Sequence, residues 1–222
     1  MDFAVNILAL GIPFSVALLL ASLGEMFNQR AGVFNLGCEG IMAMGAFLGM
    51  LVPYGAGHGA PVPGTFNVLG LLLAMAVGAL LGLLFGLAVV TFRAPQGIAG
   101  IGLQMFGVGT AGTLFRHFVG GTQSVPGIDR LPIPVLSDIP FIGPVLFSHN
   151  PLVYLTFLLV PAAWYILFRT PWGLRVRASG ANPRAADSVG IRVNLVRFQA
   201  LAVGGALAGL AGAYLSLCQV KM

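Results

Sequence analysis

The sequence predicts an all-α protein: a polytopic transmembrane helix bundle of about six membrane segments, one of them short and broken or re-entrant. Three observations predict it. Of the 222 residues, 58% are hydrophobic and only 8% are charged, whereas soluble domains carry about 25% charged residues. So few charges cannot cover a surface that faces water, so apolar segments must face lipid. Apolar stretches near spanning length recur between short polar turns. The 32 glycines suit close helix approach in a bilayer. The net charge of +5 is concentrated in one segment and calls for no nucleic-acid partner. Cys38 and Cys218 fall in or beside apolar stretches and suggest no disulfide framework.

Residues 3–23 form the first apolar stretch. They lack a basic leader and a small-residue cleavage site, which predicts a retained span. Pro13 is expected to kink it, with Ser15 able to meet a freed carbonyl. Glu25, Asn28, Gln29 and Arg30 are expected to form a short polar turn. The next apolar run, residues 41–52 with the approach from Gly37, is short for a straight span of about 20 residues. Short, glycine-interrupted membrane segments mark broken helices that line a pathway. Glu39 lies at or just inside the expected boundary. A charge at the bilayer centre costs at least ~2.5–3.5 kcal/mol, so such residues face protein or water and are functional candidates. The plainer alternative is an interfacial Glu39 that caps the helix or pairs with Arg30.

Residues 53–67 are expected to be a Gly/Pro-rich loop, with His58 incidental to it. Residues 68–90 predict a span with Gly78, Gly82 and Gly86 in one stripe. Residues 91–96, with Arg93 and Pro95, predict a turn. Residues 97–119 predict a loosely packed span whose one strongly polar interior group is Gln104. Its Gly100-Ile101-Gly102 lacks the further glycine spacing of a dinucleotide site. A P-loop needs a lysine, and the only one is Lys221. Gln104 is either a group on a substrate path or an interhelical hydrogen bond, worth roughly 0.6 kcal/mol. Residues 120–151 are a proline-rich connector with few, mixed charges, as suits an external loop. Residues 152–168 and 198–218 complete the spans. The last has Gly204, Ala208 and Gly212 at four-residue steps, with Gly205 and Gly209 beside them.

Between those two spans, residues 168–197 carry Arg169, Arg175, Arg177, Arg184, Arg192 and Arg197, six of the eleven Lys and Arg residues. Basic short loops stay on the cytoplasmic side. By alternation Arg30 and Arg93 share that side, and the N-terminus lies outside. A small helix is punctuated inside the loop. Asn182 is a good N-cap, Pro183 suits the first helical position, and Gly190 suits the left-handed closing position. So short a helix is marginal alone and must rest on something. It is either part of a topology anchor or a docking element for a partner.

Two motifs carry a resemblance. Gly173 to Ala178, Gly180-Ala181-Asn182-Pro183-Arg184-Ala185-Ala186 and Gly190-Ile191 resemble the coupling loop of ABC-importer permease subunits of the branched-chain amino acid, ribose and nucleoside type. Gly32, Asn35-Leu36-Gly37, Glu39-Gly40 and Gly45-Ala46-Phe47 resemble the nucleoside branch, whose partner is a basic membrane lipoprotein. The resemblance implies a single permease domain over residues 1–222, with 169–197 as a cytoplasmic coupling loop in a bacterial cell (inner) membrane. Gly180, Asn182, Pro183, Arg184, Ala185, Ala186 and Gly190 would meet a separate cytoplasmic ATPase, which would bind the ATP. Asn35, Glu39 and Gln104 would lie on the substrate path. A second permease subunit, identical or homologous, a substrate-binding lipoprotein and membrane lipid are the other implied partners. No catalytic residue, cofactor or metal ligand is expected on this chain, so it is not an enzyme itself. Family members continue with further helices, so the chain is expected to be incomplete at its C-terminus.

The solute is expected to be small and polar, nucleoside-like by the second motif, with sugar or amino acid as alternatives. A self-contained secondary transporter or channel is the competing function. It would need intramembrane charges coupled to an ion, and Glu39 is the one candidate. An intramembrane enzyme is disfavoured because Ser124, Ser137, Ser148 and His149 lie in the connector. Neither competitor needs an arginine-rich, capped docking helix.

Overall fold

The computed structural model describes residues 2–57, 64–120, 128 and 149–220. Among the described residues there are eight α-helices and no strands. They are α1 (Asp2–Arg30), α2 (Cys38–Gly57), α3 (Gly64–Gly86), α4 (Gln96–Phe118), α5 (Pro151–Arg169), α6 (Pro171–Ala181), α7 (Pro183–Ser188) and α8 (Val193–Tyr214). π-Helical turns extend α3 over Leu87–Thr91 and α8 over Leu215–Val220. Six described helices, α1 to α5 and α8, are long and apolar enough to cross a membrane. The chain is a multi-pass membrane protein, and the expected all-α bundle stands.

The central helix is α8, with 72% of its apolar span buried against 17% for α4. It packs on α1, α2 and α3. Lipid tails are as apolar as leucine, so contact between helices must come from close packing of small residues. The glycine stripes supply it. Gly78 and Gly82 of α3 lie against Gly205, Gly209 and the Leu201 carbonyl of α8, while Gly86 meets the Phe198 ring. On the other sides of α8, Gly45 faces Gly209 and Gly212 faces the Met42 carbonyl of α2. A Cβ on Gly24 of α1 would stand 2.6 Å from the Gly204 carbonyl oxygen. Farther along, Val16, Leu20, Leu210, Tyr214 and Leu217 form a buried apolar cluster. The Tyr214 ring is fully buried, and its hydroxyl donates to the Pro13 carbonyl at 2.9 Å. That bond satisfies the polar tip of an otherwise apolar side chain.

Several boundaries differ from the sequence expectation. Glu25, Asn28, Gln29 and Arg30 form no turn; they are the last turns of α1. Gly24 does not break that helix, because its missing side chain is the space Gly204 occupies. Ser15 donates to the Ile12 carbonyl at 2.8 Å, whereas the carbonyl that Pro13 deprives of a donor is one turn earlier. The segment expected to be short is a full-length helix, α2, of 20 residues. Pro53 lies inside it. The Gly49 carbonyl thereby loses its intrahelical donor, and Gly70 of α3 packs directly against that oxygen. Helix therefore covers both flanks of the expected 53–67 loop. His58 lies outside the described residues, as do Lys221 and nearly all of the proline-rich connector, including Asp129, Arg130 and Asp138.

The segment 168–197 holds two helices where one was expected. Thr170 caps α6, its hydroxyl oxygen accepting from the Gly173 amide at 3.1 Å, and Pro171 takes the first helical position.

The packing yields a paired test. Gly209→Leu puts a branched side chain into the α3 backbone at Ala74 and Gly78. It is expected to destabilise the bundle by about 1–3 kcal/mol or more, read as a lower melting temperature in detergent. Gly109→Leu, on α4, has no neighbour within 4 Å and is expected to melt close to the parent chain.

Candidate functional site

One end of the bundle gathers the basic residues. The Phe34 amide donates to the Gln96 side-chain oxygen at 2.9 Å, which joins the α1–α2 connection to the start of α4. Gly180 of α6 sits against the Arg30 carbonyl, and the Arg197 guanidinium donates to the Ala31 carbonyl at 3.2 Å. Arg30, Arg93 and the six arginines of residues 169–197 therefore share one end, as alternation required. Arg93 makes the turn there with φ of +56°, a left-handed conformation that non-glycine residues seldom adopt.

The capped helix forms as its punctuation predicted. The Asn182 side-chain oxygen accepts from the Ala185 amide at 3.1 Å, and Pro183 opens α7. Gly190, at φ of +85°, donates to the Asp187 carbonyl at 2.9 Å, and the Ile191 amide reaches the Ala186 carbonyl at 3.1 Å. Ile191 packs back into a cluster with Phe27, Val176 and Val196. The helix rests on Ala186, its one buried residue, while Arg184, Ala185, Ser188 and Val189 face outward. Val189 is 75% exposed. Open clefts flank α7. One of about 400 Å³ is bordered by Arg184, Asp187, Arg192 and Arg197, and one of about 390 Å³ by Trp172, Arg175, Gly190 and Leu195. The result is a projecting peg with a basic, partly apolar surface.

Beneath the peg, α6 is its platform. Val176 and Ser179 are fully buried, and Gly173 packs on the Ile166 and Leu167 carbonyls. Gly180 leaves no gap between α6 and the end of α1.

The second motif forms a descent into the bundle. After α1 the chain runs without helix from Val33 to Asn35 and turns at Leu36 and Gly37. Leu36 packs on Gly100, Gly37 on Leu103, and Gly40 on the backbone of Leu103 and Gln104. The break that the short apolar run implied therefore precedes the helix. Gln104 lies eight residues past the start of α4, about 12 Å along a helix of 1.5 Å rise. Glu39, in the first turn of α2, accepts a hydrogen bond there from the Gln104 side chain. Its carboxylate thus lies well inside the span and near a helix N-terminus, where negative charge is favoured. It does not pair with Arg30, which lies over the Phe168 ring. Glu39 is exposed on the free side of α2 and α4, whereas Asn35 is buried. The Asn35 side-chain oxygen accepts from the Gly37 amide at 2.8 Å and shapes the turn. Of the three residues expected together, Glu39 and Gln104 touch, and Asn35 stands one turn away as a scaffold.

Glu25 is a residue whose part the sequence did not reveal. One carboxylate oxygen accepts from the Asn35 amide at 3.0 Å and the other from Asn28 at 2.9 Å. It fastens the descent to α1. The signal available was the Glu25–Asn28 spacing of three on a helix, which reading that stretch as a turn concealed. In the sequence Arg197 is indistinguishable from loop charge, and only the fold shows it on the Ala31 carbonyl.

Comparison with known proteins agrees with this geometry. Residues 6–221 match the family described as branched-chain amino acid transport system / permease component. The chain is 37% identical over 225 aligned residues to the guanosine ABC transporter permease protein NupQ of Bacillus subtilis, covering 94% of this chain and 67% of the relative. It is 34% identical to the putative glucose ABC transporter permease protein TsgC13 of Haloferax volcanii, covering 98% of this chain and 64% of the relative. It is also 34% identical to the nucleoside ABC transporter permease protein NupC of Lactococcus lactis, covering 90% and 63%. The chain thus spans about two thirds of the length of these relatives. No solved structure matches it. With its six spanning helices, its capped peg and a match over nearly its whole length, the chain belongs to the branched-chain amino acid transport system permease family.

Proposed function

We propose that this chain supplies part of the translocation path of an ABC importer in a bacterial inner membrane, and that α7 is the element through which a separate cytoplasmic ATPase acts on it. The observation that carries the proposal is the peg. A capped helix with one buried residue projects from a platform fixed to the end of α1. Its Arg184 and the exposed Val189 have no partner of their own on this chain among the described residues. Exposed apolar surface beside charge at a membrane protein's aqueous end marks a contact for another protein. Gly180, Asn182, Pro183, Arg184, Ala185, Ala186 and Gly190 build or bear that contact. ATP is bound by the partner.

The route inward follows the packing. Force on α7 passes to α6, across Gly180 to Arg30 and Gly32, and down the 33–37 descent to Glu39 and Gln104. Tightly packed elements transmit displacement because they switch between discrete arrangements. ATP binding shifts that balance only as far as its contacts differ between the two arrangements. A second permease subunit would face the free side of α2 and α4, where Glu39 and Gln104 would meet the solute. A substrate-binding lipoprotein would deliver the solute from outside. The solute is small and polar. Nucleoside-like chemistry is favoured by the Asn35–Glu39 motif and by the guanosine and nucleoside relatives, while the glucose relative keeps sugar as the alternative.

Capture of the ATPase by the solubilised permease is expected to be lost on Arg184→Glu and on deletion of residues 180–190; binding retained in both would refute the coupling role. Cysteine placed at Ser188 is expected to react with an impermeant reagent only from the cytoplasmic side. Asn182→Ala is expected to cost α7 about 1 kcal/mol, seen as faster amide exchange at Ala185 and Ala186. Gln104→Leu strands the Glu39 carboxylate. It is expected to lower uptake tenfold or more, the scale of one lost hydrogen bond to a charged group, while ATPase capture stays unchanged.

A further inference from the structure

Three arginines at the basic end take no part in the docking face. Arg30 closes α1, Arg169 closes α5, and Arg177 lies within α6. Their side chains converge on two rings at the end of α5. The Arg177 guanidinium carbon is 4.9 Å from the Phe168 ring centre, and that of Arg30 is 5.8 Å from the same centre. The Arg169 carbon is 5.7 Å from the Trp164 ring centre, and the two rings are 6.1 Å apart. Three helices thus bring three positive charges onto one aromatic pair. Among the described residues none of these arginines makes an ion pair, and the buried Nε of Arg177 has no hydrogen-bond partner.

Stacking on a ring fixes a guanidinium plane but leaves its N–H edge free, and that edge matches a phosphate in bidentate fashion. The surroundings are those of a membrane boundary. Trp164, Tyr165 and Phe168 are exposed in the last two turns of α5, and Phe157 and Val160 are exposed farther along the face that carries Trp164 and Phe168. Aromatic rings of this kind collect at headgroup level. Beside Arg30 an open cleft of about 590 Å³ is bordered by Ser22, Glu25, Met26 and Gln29. Both oxygens of Glu25 are already held by Asn28 and the Asn35 amide, so that carboxylate is committed within the fold.

We propose that Arg30, Arg169 and Arg177, set on Trp164 and Phe168, bind the phosphate of an anionic phospholipid whose acyl chains lie along the exposed face of α5. The apolar face below the charges favours a lipid over a water-soluble phosphate, which would gain nothing from it. Basic pockets between membrane helices bind anionic headgroups in this way. The site ties the platform of the peg to the bilayer, and it does not depend on which partner the peg meets.

The test reconstitutes the full chain in phosphatidylcholine vesicles with a minor fraction of phosphatidylglycerol, with either lipid brominated in turn. Trp164 fluorescence is expected to be quenched more by brominated phosphatidylglycerol than its mole fraction predicts. Trp164→Phe should remove that excess, which separates it from Trp172. Each of Arg30→Gln, Arg169→Gln and Arg177→Gln should weaken the preference about fivefold, the share of one arginine near an anionic surface. Raised salt should weaken it in the unaltered chain too, so the result does not rest on any variant folding. Quenching by both lipids in proportion to their amounts would overturn the proposal. So would loss of the preference to soluble glycerol phosphate at equal concentration, or a Trp164 shielded from both lipids, which would mean that protein covers this face.

Discussion

The whole bundle depends on backbone meeting backbone around α8. Water is not expelled when helices associate inside a bilayer, so the usual apolar driving force is absent and dispersion between close surfaces must replace it. Gly78, Gly82, Gly205 and Gly209 let α3 and α8 approach until carbonyls touch α-carbons, and Gly45 and Gly212 do the same for α2. No larger residue at those positions leaves the approach intact. The bulky groups lie elsewhere: Tyr214, Leu20 and Leu217 belong to the buried cluster at the C-terminal end of α8, and Leu167 with Val176 fills the join beneath the peg.

That arrangement divides the molecule into a tight part and a loose part. Helices α1, α2, α3 and α8 form one block. Helix α4 touches the block chiefly through α2, by way of Leu36, Gly37, Gly40 and Gly107. Its apolar residues, among them Ile98, Ile101, Met105 and Phe106, are otherwise exposed. The Glu39–Gln104 bond lies on the seam between the parts. A polar contact on a seam can break and reform as the seam opens, whereas one inside the block could not. This placement makes those two residues better suited to a path than Asn35, which is built into a turn.

Much of this was legible in the sequence, and the reasons are specific. The spans could be read because twenty apolar residues in a row admit few alternatives in a chain with so little charge. The family resemblance rested on motifs in two turns, and the match over residues 6–221 bears it out. The α7 helix could be read to within a residue, because Asn182, Pro183 and Gly190 each do a local job that needs no tertiary partner. What was not legible depended on distant contacts. Gly24 looked like the end of a helix, since nothing local shows Gly204 beside it. Pro53 looked like the end of another, since nothing local shows Gly70 against the Gly49 carbonyl. Helix α6 was hidden inside a basic run because charge was read as loop, although its Thr170-Pro171 start has the same form as Asn182-Pro183. The part played by Glu25 could emerge only once the descent from Val33 to Gly37 was seen to fold back past it.

The central position of α8 also has a consequence for how the protein is made. Its partners α1, α2 and α3 leave the ribosome first, and more than a hundred residues separate the end of α3 at Gly86 from the start of α8 at Val193. At ordinary synthesis rates of about 5–20 residues per second, the earlier helices wait on the order of ten seconds with their grooves occupied by acyl chains. Biogenesis of this permease therefore turns on a late displacement of lipid. A nascent chain interrupted before α8 would present to the cell's quality-control proteases a set of helices without their central packing partner.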